Sequence, residues 1–154
     1  MEKTNVMRIL DQKKIDYKDY FYGEEAISGV EVAKILNQDE KHVYKTLVTV
    51  SKSKKYYVFM IPVAEELDLK KCAKAVGEKS IEMIPQKELL PLTGYVHGGC
   101  SPIGMKKLFK TTINDTANNQ DTIIFSAGRI GYQVELNPKD LEKVISLFYY
   151  DIIK

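Results

Sequence analysis

The sequence predicts an α+β fold, a mixed, curved and barrel-like β-sheet flanked by helices, in one domain spanning residues 1–154. Three observations carry that expectation. Helical periodicities and strand alternations are interleaved along the chain. Several of the strands are close enough in sequence to form hairpins. No Pro/Gly/Ser linker, low-complexity tract or internal repeat divides the chain. Helices mixed with hairpin-linked strands make an α+β architecture, and a 154-residue chain can bury a real core.

Each element has its own signal. In "TNVMRILDQKK", Thr4 is placed to cap a first helix, and Val6, Met7 and Leu10 share one of its faces. "IDYKDYFY", residues 15–22, alternates and is aromatic-rich, as a strand is. "SGVEVAKIL" opens a second helix at Ser28, with Glu31 three residues on completing a capping box. "HVYKTLVTV", "SKSKK" and "YYVFMIPV" read as strand, basic turn and strand. "DLKKCAKAVG" is a helix capped by Asp68 and ended by Gly77. "IEMI" is a short strand, and "PQKELL" a brief helix. "DTIIFSAGRIGYQVEL" gives two strands joined by residues 127–131, after which Asn137 and Pro138 start a last helix as N-cap and N1.

Composition narrows the function. Lys plus Arg is 23 and Asp plus Glu is 21, so the net charge of +2 excludes a protein that coats nucleic acid by charge alone. Local basic clusters can still guide one end of a nucleic acid. Two cysteines, Cys72 and Cys100, are too few for a disulfide framework, and a reduced, cytoplasmic setting is expected. "MEKTNVMRIL" lacks an apolar signal core, and "YYVFMIPV" is far shorter than a bilayer span, so no membrane association is expected.

Candidate chemistry gathers in the glycine-rich segments. "TGYVHGGCSPIG", Thr93 to Gly104, fits neither helix nor strand. Gly98 and Gly99 free its backbone, and Pro102 stiffens its exit. Such a loop can aim N–H groups at an anionic point, or can simply be a tight turn; the pattern leaves both open. Lys45 shares strand parity with Val43, Leu47 and Thr49, which turns it toward a pocket; the opposite register would put Tyr44 and Thr46 inside. His97 and Cys100 invite a Cys–His nucleophile, but no specific signature surrounds them. No metal or other cofactor is expected, since two histidines and two cysteines at these spacings make no ligand set.

"VYKTLV", "IPVAEELDLKKCAKAVG", "GGCSPIGMKK" and "SAGRIGYQVEL", in that order, closely resemble the YbaK/EbsC family, freestanding relatives of the editing domain of bacterial prolyl-tRNA synthetase. The resemblance runs from about Thr4 to Ile152. It implies an aminoacyl-tRNA deacylase that clears Cys-tRNA(Pro) in trans, with prolyl-tRNA synthetase as a partner. It also implies that the substrate's own thiol cleaves the ester. The family's functional lysine falls on Lys45, and its glycine-x-x-proline loop on Gly99-Cys100-Ser101-Pro102, preceded by Gly98. Lys45, Gly99 and Ser101 are the implied catalytic residues. Its strand-1 tyrosine falls on Tyr20 or Tyr22, and its Ser-Gly-Gly-Lys pattern on Ser126-Ala127-Gly128-Arg129. Lys106, Lys107 and Lys110 follow the loop and are candidate phosphate contacts, or else a solvated basic face. The chain departs from its relatives at Ser28, Ile130 and Gln133, which bears on the amino acid removed. Alternatives are an Ala-tRNA(Pro) or other aminoacyl-tRNA deacylase, and a non-catalytic module that binds tRNA ends or a synthetase.

Overall fold

At the centre of the computed structural model, which describes residues 2–154, lies a hairpin of β2 (Tyr44–Ser51) and β3 (Tyr56–Pro62). Tyr44 stands opposite Pro62 and Val50 opposite Tyr56, so the basic turn between them is short. Two elements precede the hairpin. Thr4 caps α1 (Asn5–Gln12) by accepting the Met7 N–H at 3.3 Å, and Val6, Met7 and Leu10 are buried as their spacing predicts. The strand expected over residues 15–22 is formed by β1 (Lys18–Phe21). Ser28 caps α2 (Gly29–Ile35), accepting the Glu31 N–H at 3.2 Å.

After the hairpin, Asp68 caps α3 (Leu69–Val76) by accepting from the Lys70 and Lys71 amides, and Gly77 ends it in the left-handed region at φ 73°. Cys72 and Ala73 pack this helix on Phe59 and Ile61 of β3. β4 (Ile81–Met83) and α4 (Leu89–Thr93) follow, then β5 (Thr111–Asn114), β6 (Ile123–Ser126), β7 (Tyr132–Leu136), α5 (Pro138–Leu141) and β8 (Leu147–Tyr150).

The strands make two sheets. One is five-stranded in the order β4-β2-β3-β5-β8, antiparallel from β4 to β3 and parallel from β3 through β5 to β8. The other is three-stranded and antiparallel, β1-β7-β6. They touch through a parallel bridge between Val43 and Ile124. The α+β class and mixed sheet are as expected, but the barrel-like element is not realised: the sheets neither merge nor close. A core of α1, Phe125, Val134, Leu136, Ile113 and Ile103 fills the space between them. Among the described residues no helix is long and apolar enough to cross a membrane.

Two strands escape sequence reading. β5 is wholly buried and three of its four residues are polar, so it shows no alternation. A strand flanked by parallel neighbours on both sides has no solvent face to produce one. Its asparagine is satisfied internally: the Asn114 side chain accepts the Ile152 N–H at 3.0 Å and donates to Thr116 at 3.0 Å. The last helix is as predicted at its start, with Asn137 accepting the Lys139 N–H, but it is only four residues long before the chain turns into β8.

The first residue of α2 is held against β3's end. A Cβ on Gly29 would lie 2.4 Å from Val63 Cγ1 and 2.8 Å from its Cβ, so only glycine allows this approach. Helix propensity alone favours Gly29→Ala by about 1 kcal/mol. The clash reverses the sign, because overpacking at a close contact costs about 1–3 kcal/mol. A denaturant titration of Gly29→Ala should therefore show a lower midpoint than wild type at unchanged m-value. A raised midpoint would mean that α2 is not seated on Val63.

Candidate active site

The edge of β2 shapes the site. Val63 donates to the Val43 carbonyl and Ser51 to the Lys55 carbonyl, so odd-numbered residues of β2 bond toward β3. Even-numbered residues therefore turn their backbone groups to the other edge. There β4 pairs only with Thr49 to Ser51, and β6 reaches the strand only at Val43. Between these two contacts the edge is open at Thr46. A cavity of about 500 Å³ lies along this gap, closed by the start of α2, the 97–100 loop and the segment before α4. That volume suits a small-molecule or cofactor-sized ligand.

Because the cavity runs along an edge, it meets side chains of both parities. Lys45 and Leu47 line it from one face, Thr46 and Val48 from the other. The choice between registers posed by the sequence thus dissolves. Tyr44 and Val48 are buried, and Lys45 still lines the cavity, half-buried. Lys45 forms no ion pair among the described residues. Among the described residues no aspartate or glutamate lines the cavity. Beside Lys45, the Thr46 hydroxyl oxygen is buried without a hydrogen-bond partner. A buried orphan of this kind costs about 1–3 kcal/mol and is retained where something else satisfies it.

The glycine-rich loop is built from inside. Gly98 takes φ 89°, in the left-handed region. A Cβ on Gly99 would come within 3.1 Å of the Ile130 backbone nitrogen, so this glycine lets two loops touch. Its N–H is bonded to the Val96 carbonyl at 3.0 Å and is not available to a ligand. Gly98 and Cys100 line the cavity, and their amides have no backbone acceptor among the described residues. Ser101 is fully buried behind the loop, where its oxygen accepts the Ile103 N–H at 3.3 Å. Tyr95 donates to the Ile103 carbonyl and holds the same turn. The loop is shaped, with its usable amides one residue to either side of Gly99.

Of the residues singled out from sequence, the cavity gathers Tyr22, Lys45, Gly98, Cys100 and Ser126. Tyr20 stays outside: its hydroxyl donates to the Glu135 carboxylate, which together with burial pushes the phenol up to about 12. Gly99 and Ser101 sit behind the loop, and Pro102 faces a smaller cavity with Lys107. Gly128 and Arg129 line a second cavity, separated from the first by Tyr132. The three lysines diverge. Lys106 reaches the Pro91 carbonyl at 3.4 Å, while Lys110 lies 4.6 Å above the Phe148 ring. His97 also lines the main cavity near Cys100, but burial pushes the Cys100 thiol up to about 12, away from thiolate chemistry. Thr46 and Gln133 also line the cavity; the sequence set Thr46 inside only in the alternative register and marked Gln133 only as a departure from the relatives. Their signal was polarity inside apolar strands; Gln133 is 5% exposed and accepts from Gln38 at 3.0 Å.

Comparison with known proteins agrees with the geometry. A family model described as the aminoacyl-tRNA editing domain matches residues 24–144. A protein of Enterococcus faecalis, provisionally named Cys-tRNA(Pro)/Cys-tRNA(Cys) deacylase EbsC, is 46% identical over 148 residues, covering 95% of this chain and 88% of that one. Among solved structures, one provisionally described as a trans-editing enzyme for prolyl-tRNA synthetase superposes with a TM-score of 0.83 at 18% identity, over 99% of both chains. Another, described as a hypothetical protein, superposes with a TM-score of 0.89, also at 18% identity, over 98% of this chain and 100% of that one. At that identity the structures establish the shared fold. The identity to the enterococcal protein and the match over residues 24–144 establish more: the chain belongs to the aminoacyl-tRNA editing domain family.

Proposed function

We propose that this chain deacylates misacylated tRNA in trans, with Cys-tRNA(Pro) as substrate and the substrate thiol as nucleophile. One observation carries the reading. The cavity offers a cation, hydroxyls and loop amides, but no carboxylate and no activated nucleophile. An aminoacyl ester is already activated, so a site that positions it and stabilises the carbonyl oxygen is enough.

The residues divide the work. Lys45 meets the ester or the terminal ribose as a cation in a largely apolar cavity, where a charge interaction is stronger than in water. The Gly98 and Cys100 amides lie where a developing oxyanion can be held. Thr46, Ser126 and Tyr22 supply polar contacts to the amino acid and ribose. The substrate cysteine's sulfur attacks its own carbonyl carbon, forming a C–S bond as the C–O bond to the ribose breaks. The thiol proton ends on the departing ribose oxygen, and the products are a cysteine thiolactone and free tRNA. Atoms and charge balance without an external reagent. The net charge of +2 is too small to capture a tRNA by itself, so we assign delivery to prolyl-tRNA synthetase, in the cytoplasm. The whole chain acts as one editing domain.

Three measurements test this reading. On Cys-tRNA(Pro), Lys45→Ala should lower turnover about 100-fold or more while the protein stays folded, as loss of a transition-state contact does. Wild-type turnover in the folded variant would remove Lys45 from the mechanism. Cys100→Ala should keep its activity within about tenfold, whereas loss of a true nucleophile removes nearly everything. A folded but dead Cys100→Ala, with an acyl-enzyme trapped on the wild type, would reverse the assignment. In a panel of Cys-, Ala-, Ser- and Pro-tRNA(Pro), the cysteinyl ester should be cleaved fastest. Equal cleavage of the alanyl ester would show that no substrate thiol is needed.

A further inference from the structure

A second cavity, of about 460 Å³, lies on the far side of Tyr132 from the first. Its lining differs in kind. Phe21 and Val96, 43% and 46% exposed, stand together on its wall. The Phe21 ring stands 5.0 Å from the Tyr132 ring, tilted by 51°. On the same wall the Arg129 guanidinium lies 5.5 Å from the Tyr132 centroid. Its only carboxylate partner among the described residues is Glu2, in a pair exposed on both sides and therefore weak. Glu24 is the other charge on the rim, and Lys106 runs alongside Gly94 at its edge.

We propose that this cavity binds the nucleotide immediately 5′ of the aminoacylated adenosine, as a subsite of the deacylase site proposed above. An exposed aromatic ring beside an arginine is what an unpaired base and its phosphate require: the base stacks on the ring face, and the guanidinium takes the phosphate. Phe21 is the stacking platform. Arg129 exchanges the Glu2 carboxylate for a phosphate oxygen, and Glu24 leaves an acceptor for a base amine. The placement fits a continuous strand. Tyr132 is shared by both cavities, so a chain whose last residue presents its ester to Lys45 has the next nucleotide on the other side of one ring. This accounts for exposed apolar residues that the first cavity does not use.

The test compares two substrates and one ligand. For Phe21→Ala, KM for cysteinyl-tRNA(Pro) should rise about 5- to 100-fold, the range that loss of a base stack produces. With 3′-O-cysteinyl-adenosine, which lacks the preceding nucleotide, the same variant should match wild type, and Phe21→Trp should restore the tRNA KM. The ligand arm is independent of catalysis. Titration with the uncharged trinucleotide cytidylyl-cytidylyl-adenosine should bind wild type more tightly than Phe21→Ala by the same factor, with amide shifts at Arg129 and Tyr132. An unchanged tRNA KM would overturn the proposal, and so would an equal defect on the adenosine ester, which would place Phe21's influence in the first cavity. If wild type deacylates nothing, the function proposed above fails, and trinucleotide affinity alone decides this one. Trinucleotide binding that ignores Phe21 would also overturn it.

Discussion

The site depends on an interrupted strand edge. β2 is paired along its whole length with β3, but its other side is held only just before its start, by Val43 with Ile124, and near its end, by Thr49 to Ser51 with β4 and by the Ile84 N–H donating to the Val48 carbonyl. Had β4 been longer, or had β6 run on alongside β2, the sheet would be continuous and there would be no cavity. An open edge inside a protein presents backbone groups that must be satisfied or covered. Here α2, seated on Val63 through Gly29, and the loop pinned by Gly99 against Ile130 cover it without filling it. The gap is therefore a consequence of topology, and the side chains around it are furnishing.

That furnishing has a consistent sign. Acidic residues number 21 in the chain, yet among the described residues none lines the cavity, while Lys45, Gly98 and Cys100 do. A positive, donor-rich and mostly apolar pocket favours a neutral ester that becomes negative at the carbonyl oxygen, and it supplies no general base of the usual carboxylate kind. The same pocket holds Cys100 as a neutral thiol through burial. The proposed catalysis by positioning suits such a pocket, and it matches a substrate that carries its own nucleophile.

Much of this was legible in the sequence, because it rests on local signals. Caps at Thr4, Ser28, Asp68 and Asn137 each announced a helix, and the hairpin followed from two apolar strands around a basic turn. Lys45 stood out because a lysine inside an apolar strand is costly. What stayed hidden depends on distant pairing. β5 is a strand only because it lies beside β3, and β8 only because it lies beside β5; their short, buried or aromatic sequences carry no period of their own. The pinned role of Gly99 likewise needs Ile130, thirty-one positions away, and the orphaned Thr46 hydroxyl needs the gap in β4's pairing. Ser101 shows the converse: the loop motif singled it out, and the fold turns its hydroxyl inward to Ile103.

The central claim is that the pocket positions the ester and the substrate's sulfur breaks it. The most direct measurement is single-turnover deacylation of tRNA(Pro) carrying either cysteine or S-methylcysteine, at saturating wild-type enzyme. A methyl group changes size little but removes the nucleophile. The account predicts fast release from the cysteinyl ester and release at the uncatalysed rate from the S-methyl ester, with both bound. Comparable enzymatic rates for the two would contradict it and require a nucleophile supplied by the protein or by water.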